Sequence, residues 1–165
     1  MEKAKNIIRE NIGFILAIII VLLIKKYVVA PIKVNGNSMM ETLHDKDIMI
    51  LNIIEYKFKD IKRFDIVVIK EKNEYIIKRV IGLPGEEVEY KNNTLYINGK
   101  KIKDKYTTKE TNDFKVKVKK DTYFVLGDNR TNSMDSRVFG SFHKKYILGK
   151  TNLIIFPFNR FGIKE

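Results

Sequence analysis

A serine that follows an apolar segment is the first residue of this chain that could do chemistry. Ser38 lies in the stretch GNSMMETL, residues 36–43, shortly after an apolar N-terminal run. Such a stretch is either a polar turn that leads into a folded domain or a nucleophile held close to a membrane. Serine is a weak nucleophile without a neighbouring base. A catalytic interpretation therefore requires a base elsewhere in the chain.

The usual partners of a catalytic serine are scarce in this sequence. The chain contains no cysteine, which excludes thiol catalysis, disulfides and Cys-ligated zinc. Its two histidines, His44 and His143, are far apart in the sequence and make a poor metal site. We therefore predict no metal and no cofactor, and we look for a base other than histidine.

Lysine can serve as the base only when its amine is neutral, and burial in apolar surroundings lowers the pKa of a lysine. Lys78 meets this condition in the stretch YIIKRVI, residues 75–81. Strand alternation places Lys78 and Arg79 on opposite faces, so we predict that one of the two cations faces inward. By itself the strand favours the alternative, in which Lys78 lies solvated on a polar face.

A third stretch, GDNRTNSMDSRVFG, is dense in polar residues after an apolar strand and spans residues 127–140. Loops of this composition often build hydrogen-bond networks around a site. Its two Asp/Arg combinations, Asp128 with Arg130 and Asp135 with Arg137, favour such a network. The alternative is an ordinary turn-rich loop.

Composition indicates one domain with an appendage, because the chain has 165 residues and an ordinary globular mixture. The net charge of +12 favours anionic partners, either nucleic acid or an anionic membrane surface. The stretch KNNTLYINGKKIKDKY, residues 91–106, mixes lysines with tyrosines as a nucleic-acid surface does. The basic residues are nevertheless spread along the chain, so we predict a solvated β-meander and no nucleic-acid partner.

The N-terminal segment is apolar all round at residues 14–24, FILAIIIVLLI. A buried core helix would show a polar face, and a cleaved signal peptide would place a proline, Pro31, just after its cleavage site. We therefore predict an uncleaved membrane anchor, a helix over residues 12–32, preceded by a basic tip. A spanning helix needs about 20 apolar residues, so the central run alone is short.

The remainder of the chain reads as strands, which gives a mainly β, antiparallel, barrel-like domain on a membrane stalk. Alternating or β-branched segments predict strands at residues 47–54, 64–70, 73–83, 88–102, 114–120, 122–130 and 153–158. Asn98-Gly99 predicts a tight hairpin turn within this series. We divide the chain into residues 1–33, the tip and anchor, and residues 34–165, the β catalytic domain.

In combination, the three stretches resemble one family, the type I signal peptidases. Residues 37–43 resemble its nucleophile box, residues 63–70 the strand after it, residues 77–86 its lysine box and residues 127–140 its last box. Order and spacing agree, and the short spacer between the last two boxes resembles compact Gram-positive-like members. The resemblance covers residues 14–149.

The resemblance implies a role for each matching residue. Ser38 would be the acylated nucleophile and Lys78 the neutral general base of a serine endopeptidase. Ser133 would orient Lys78 through a hydrogen bond, and Asp135 with Arg137 would form a supporting ion pair. The Ser38 N–H would hold the oxyanion.

Substrates and location are also implied by the resemblance. Substrates would be secreted preproteins with small residues before the cut, and Met39 would help to line the substrate pocket. The N-terminus would be cytoplasmic and the catalytic domain extracytoplasmic, beside membrane lipid. The chain departs from the family pattern at Gly36, where some relatives supply a serine hydroxyl, at Glu41, usually proline, and at Thr131, often Asp.

Two other functions remain open. A cytosolic Ser/Lys autoprotease of the repressor-cleaving kind shares this logic, but the apolar N-terminal segment argues against it. A catalytically impaired, membrane-anchored relative that only binds signal sequences is the other. Intact Ser38, Lys78 and Ser133 favour the enzyme.

Overall fold

The computed structural model describes residues 11–107 and 109–164, and for residues 24–27 it describes the backbone alone. The helices are α1 (Ile12–Tyr27), α2 (Glu55–Phe58) and α3 (Ser136–Phe139), with 3₁₀ turns at Lys144–Tyr146 and Phe158–Arg160. The strands are β1 (Val29–Lys33), β2 (Ile48–Asn52), β3 (Ile66–Glu71), β4 (Glu74–Gly82), β5 (Glu87–Lys91), β6 (Thr94–Ile97), β7 (Lys100–Ile102), β8 (Phe114–Lys117), β9 (Thr122–Leu126), β10 (Phe142–His143), β11 (Ile147–Phe156) and β12 (Gly162–Ile163).

These strands form two antiparallel sheets. The larger sheet has the order β1-β2-β11-β3-β4-β9-β10, with β12 paired to β11, and the smaller has the order β7-β6-β5-β8. Every strand pairing that the structure describes is antiparallel. The prediction of a mainly β, antiparallel domain is confirmed.

The smaller sheet is shaped by its turn residues. Asn92 and Asn93 have φ values of 47° and 56°, and Asn98 and Gly99 have φ values of 50° and 76°. Two consecutive residues with positive φ form the hairpin turn that suits the twist of antiparallel strands, and Asn and Gly adopt it most readily. The predicted hairpin turn at Asn98-Gly99 is therefore confirmed, and the segment 88–102 is divided among three strands, β5, β6 and β7.

Strand β11 is longer than predicted, because it begins at Ile147 instead of residue 153. Its first half contains Gly149, which weakens a strand pattern in the sequence. The structure explains this glycine, since a Cβ at Gly149 would overlap the carbonyl oxygen of Asn52 in β2. The long β11 lies between β2 and β3 and joins the two halves of the larger sheet.

The N-terminal helix is shorter than predicted. It ends at Tyr27 instead of Ile32, because residues 29–33 form β1 and pair with β2, with Ile32 opposite Met49. Within the described ranges, no helix has both the length and the apolarity needed to cross a membrane. The predicted basic tip, residues 1–10, lies outside the described residues.

Two apolar clusters support the loop and the strands that carry the candidate site residues. One lies beneath the loop that joins β1 to β2 and contains Val34, Met39, Leu43, Met49, Ile66 and Ile154. The other packs the smaller sheet against β4 and β9 and contains Ile81, Val88, Tyr90, Leu95, Ile97, Val118, Phe124 and Leu126. Burial of such side chains contributes about 1.5–3 kcal/mol each. The site therefore rests on well-packed supports.

Candidate active site

The loop between β1 and β2 carries Ser38. Gly36 has a φ of +85° and donates its N–H to Asp45 Oδ1 at 2.8 Å, so the chain turns sharply just before the serine. Met39 and Leu43 are almost fully buried, and the Leu43 N–H donates to the Met39 carbonyl at 2.9 Å. These anchors leave Ser38 half-buried at the rim of the core.

Strand β4 brings Lys78 to this loop. Lys78 is paired with Val67 of β3 and is 4% exposed. Its Nζ lies 2.6 Å from Ser38 Oγ, across 40 residues of sequence. The alternative of a solvated Lys78 on a polar face is wrong, because both faces of β4 are covered at this point.

The surroundings of Lys78 favour the neutral amine. Burial lowers the pKa of Lys78 from the ordinary 10.5 to about 8, while the carboxylates of Asp135 and Asp128 act in the opposite direction. Within the described residues, no carboxylate forms an ion pair with Lys78. A lysine with this pKa is neutral in about a tenth of the molecules at pH 7, enough to accept a proton.

Arg79 is buried as well, on the opposite face of β4, so the prediction that one of the two cations faces inward is incomplete. Its Nε and Nη2 donate to Asp128 at 2.8 and 2.7 Å, and its Nη1 donates to the Phe64 carbonyl at 2.9 Å. The guanidinium also stacks 3.7 Å from the centroid of the Tyr106 ring. A charged group this deep is stable only with such a set of partners.

The polar loop at residues 127–140 holds the nucleophile loop in place. The Asn129 N–H donates to the Ser38 carbonyl at 3.0 Å, and Asn129 Nδ2 donates to the Asn37 carbonyl at 3.1 Å. Thr42 Oγ1 donates to Asp128 Oδ2 at 2.6 Å. These contacts attach both sides of Ser38 to the loop after β9, so the serine has a fixed position.

Asp135 and Arg137 form an ion pair at the far end of this loop. Arg137 Nη2 lies 2.8 Å from Asp135 Oδ2 and also donates to the Arg130 carbonyl at 2.7 Å. The fully buried Asp135 additionally accepts from the Gly127 N–H at 3.0 Å. Burial alone would raise the pKa of Asp135, but these hydrogen bonds outweigh it and hold that pKa below its usual range.

Ser133 lies against the same strand end. A Cβ on Gly127 would overlap both Ser133 Oγ and the Ser38 carbonyl oxygen, so the serine hydroxyl and the nucleophile loop pack on one glycine. The Ser133 hydroxyl is buried and faces the Asp135 carboxylate, whose pKa it helps to lower, but it makes no hydrogen bond of ordinary geometry within the described part of the chain. The expected Ser133–Lys78 hydrogen bond is therefore not among the contacts of this structure.

A groove of about 830 Å³ opens beside Ser38 and Lys78. Its walls are β1, the edge strand of the larger sheet, and residues 74–78 of β4, whose other side is not paired with β9. Four successive antiparallel pairings separate the two strands, so both run toward the end that holds Ser38 and Lys78. Met39 lies in the floor of this groove and is 1% exposed.

Arg130 belongs to the site region, although the sequence indicated it only through its combination with Asp128. Its partner is Asp104, at 2.6 Å, rather than Asp128, and it also donates to Tyr90 Oη at 2.6 Å and to the Gly127 carbonyl at 2.9 Å. It therefore fastens the polar loop to the smaller sheet. The only sequence signal was an arginine among polar neighbours.

The geometry defines the class of chemistry. A serine hydroxyl in contact with a buried lysine of lowered pKa, at the end of an open groove, is able to carry out acyl transfer to the serine and hydrolysis of the product. The fold and the site therefore define a candidate serine hydrolase with lysine in place of histidine.

Comparison with known proteins identifies the family. Residues 8–156 match the family described as signal peptidase, peptidase S26. A signal peptidase I of Bacillus amyloliquefaciens is 45% identical over 160 residues, covering 89% of this chain and 86% of that protein. Signal peptidase I S of Bacillus subtilis is 40% identical over 173 residues, covering 96% and 94%. The chain belongs to the signal peptidase family.

A solved structure agrees with this assignment. A signal peptidase I from Enterococcus faecalis is 37% identical to this chain, with a TM-score of 0.52. The likeness covers 56% of this chain and 97% of that one. More than half of this chain therefore shares its fold with a signal peptidase of known structure.

Proposed function

We propose that this chain removes N-terminal signal peptides from secreted preproteins with a dyad of Ser38 and Lys78. Membership of the signal peptidase family makes the chain a serine endopeptidase of this kind. The observation that carries the assignment of the dyad is the 2.6 Å contact between Lys78 Nζ and Ser38 Oγ in a buried setting.

In the first step, neutral Lys78 accepts the proton of Ser38 Oγ while that oxygen attacks the carbonyl carbon of the scissile peptide bond. Lys78 then donates the proton to the departing amine, which leaves an ester on Ser38. In the second step, Lys78 takes a proton from water as the water oxygen attacks the ester carbonyl, and Lys78 then returns that proton to Ser38 Oγ as the acyl–oxygen bond breaks, which releases the carboxylic acid product. Burial supports this role because it keeps the amine partly unprotonated near pH 7.

The oxyanion of each step would be held by the Ser38 backbone N–H. Within the described residues, this N–H donates to no other group, so it is available to a developing negative charge. Position 36 is glycine, so no hydroxyl is supplied two residues before the nucleophile. The serine backbone therefore carries more of the oxyanion stabilisation than in relatives that have a serine there.

Ser133, Asp135 and Arg137 would support the dyad. The buried Ser133 hydroxyl faces Asp135 without a hydrogen bond of ordinary geometry in the described chain, so it is available to Lys78 during the reaction. We assign it the orientation of Lys78. The ion pair of Asp135 and Arg137 keeps the loop that carries Ser133 in place.

The substrate would lie extended in the groove. Both groove walls have a free strand edge, and an extended peptide can add to such edges through backbone hydrogen bonds. The buried Met39 leaves a shallow apolar floor beside Ser38, which suits small residues before the cleaved bond. This arrangement supports preproteins with small residues at that position as the substrates.

The N-terminal segment would attach the enzyme to the membrane, with the N-terminus cytoplasmic and the catalytic domain outside. The side chains of residues 11–23 in and beside α1 are all exposed, including Phe14 at 69% and Val21 at 62%. A run of exposed apolar side chains this long is unfavourable in water and favourable in lipid. Attachment would keep Ser38 close to membrane-bound substrates.

The test is cleavage of a preprotein by the purified full-length chain in detergent, with the products identified by mass spectrometry. Ser38→Ala is expected to lower the rate by at least about 10³-fold. Ser141→Ala, which changes a serine between α3 and β10 away from the groove, controls for the loss of a hydroxyl. Cleavage by Ser38→Ala at the wild-type rate would remove the nucleophile assignment. Binding of preprotein by the wild-type chain without cleavage would instead favour a signal-sequence-binding relative.

A further inference from the structure

Arg160 lies in the 3₁₀ turn Phe158–Arg160, close to the C-terminal end of the chain and beyond the residues 8–156 that match the family. Its neighbours Phe158 and Phe161 are exposed by 79% and 64%, whereas the Arg160 side chain is only 21% exposed. The arginine therefore turns inward where its neighbours turn outward. Its guanidinium contacts the loop that carries Ser38.

The guanidinium of Arg160 contacts that loop at three residues. Nε and Nη2 lie 3.0 Å from Asp47 Oδ1 and Oδ2 respectively, and Nη2 also donates to the Thr42 carbonyl at 3.1 Å. Nη1 lies 3.2 Å from His44 Nε2. Asp47 is 1% exposed and accepts from the His44 N–H at 2.8 Å, so the ion pair is embedded in the loop itself.

Thr42 connects this ion pair to the lysine strand. Its carbonyl accepts from Arg160, while its hydroxyl donates to Asp128 at 2.6 Å. Asp128 in turn receives two hydrogen bonds from Arg79, the residue immediately after Lys78 in β4. A continuous series of charged and polar groups thus links the C-terminal turn, the nucleophile loop and the strand that carries the proposed base.

We propose that Arg160 is a positioning residue that fixes the distance between Ser38 and Lys78 by holding the loop of residues 42–47 from the C-terminal side. The proposal rests on the dyad function proposed above. Arg160 does not touch the reacting atoms, and it acts through Thr42. Small displacements of a nucleophile matter, because an error of about 1 Å lowers a rate on the order of 10²-fold.

The guanidinium fork is needed for this role. Arg160 uses three nitrogens at once, on a carboxylate, a carbonyl and an imidazole. An ammonium group is a compact charge that keeps the attraction to Asp47 but cannot span all three partners. Arg160→Lys therefore retains the ion pair and loses the geometry, which separates the effect of charge from the effect of position.

The experiment compares Arg160→Lys and Arg160→Gln with wild type on a short peptide that has alanine before the cut. The matched control is Lys164→Gln, which removes a cation from the same C-terminal segment and lies outside the site. Active enzyme is counted by labelling with a serine-reactive acylating probe, and kcat is calculated for each labelled site. Thermal unfolding midpoints are measured in parallel.

We expect Arg160→Gln to lower kcat for each active site by about 10–10²-fold with KM changed less than about twofold. Arg160→Lys is expected to fold like wild type and to lower kcat by a smaller factor, and Lys164→Gln to behave as wild type. We also expect a displaced loop to admit water to Lys78 and to move the midpoint of the pH–rate profile upward.

Two outcomes would overturn the proposal. In the first, both Arg160 variants keep the wild-type kcat for each labelled site but have fewer labelled sites or a lower unfolding midpoint. That result would make Arg160 a residue that only stabilises the fold. The other is a loss confined to KM. If Arg160→Gln does not fold, Arg160→Lys decides by the same criteria. Ser38→Ala is assayed alongside. An active Ser38→Ala variant would refute the proposed dyad, whereas an inactive one leaves the dyad in place and confines the failure to the role of Arg160.

Discussion

Replacing Lys78 with methionine is expected to make the protein more stable at neutral pH. The folded state holds Lys78 in a buried position where burial lowers its pKa, whereas the unfolded chain leaves its pKa at the ordinary value. Between these two values the unfolded state binds more protons than the folded state, so the contribution of Lys78 to stability rises with pH. Methionine has a similar shape and no charge to bury, so it escapes this cost.

The size of the effect is set by the two pKa values. A drop from 10.5 to about 8 corresponds to roughly 3 kcal/mol, at about 1.4 kcal/mol for each tenfold change in proton affinity. This contribution is fully present above pH 10.5 and is lost as the pH falls to about 8. The advantage of Lys78→Met should therefore be largest below pH 8 and should shrink by roughly 3 kcal/mol toward pH 10.5.

Urea unfolding monitored by circular dichroism at several pH values from 6 to about 11 measures this difference. Lys70→Met, which removes an exposed lysine from the neighbouring strand β3, controls for the loss of one positive charge. Altered packing adds an offset that is the same at every pH, so the slope carries the information. A stability difference between Lys78→Met and wild type that does not vary with pH would refute the reasoning, and with it the lowered pKa of the proposed base.

Three further results are expected. Ser133→Ala should lower kcat by about 10²-fold or more without lowering the unfolding midpoint, and an unchanged kcat would make its role structural. Glu41→Gln should leave the pH–rate midpoint unchanged, since burial and two nearby aspartates determine the pKa of Lys78; a moved midpoint would reveal an effect of the Glu41 charge. Removal of residues 1–27 should spare peptide cleavage and impair preprotein cleavage. Removal of residues 1–33 also deletes β1 and should abolish both activities. Equal loss of the two activities in the shorter deletion would contradict this expectation.

Local patterns were sufficient to predict most of the strands. Residues 64–70 and 73–83 have the alternation and β-branched content of buried strands, and β3 and β4 lie there. Strand β1 was missed because its apolar residues resume the apolar pattern of α1 directly after Lys25, Lys26 and Tyr27. Only the pairing of β1 with β2 distinguishes the strand from the helix. The first half of β11 was missed because Gly149 weakens the strand pattern. The reason for this glycine is its close approach to the carbonyl oxygen of Asn52, which is distant in the sequence.

The site was predictable to different extents. Ser38 and Lys78 were found through the combination of three stretches and their resemblance to one family, and the structure brings the two side chains together. The inward position of Arg79 was missed because alternation alone does not reveal that both faces of β4 are covered. Arg160 gave no signal at all, since its partners lie more than a hundred residues earlier in the chain.

A single residue, Val28, separates the end of α1 at Tyr27 from the start of β1 at Val29, and its carbonyl accepts from the Ile53 N–H at 2.8 Å. The helix and one wall of the groove are therefore joined without a flexible linker. Each residue added to a helix rotates the attached strand by about 100° and shifts it by about 1.5 Å. Insertion of one residue into α1 would thus rotate the groove away from its original direction, whereas insertion of about one full turn would restore it at a new height. The orientation of the groove relative to the N-terminal end of α1 therefore depends on the number of residues in the helix, through the rotation as well as through the length.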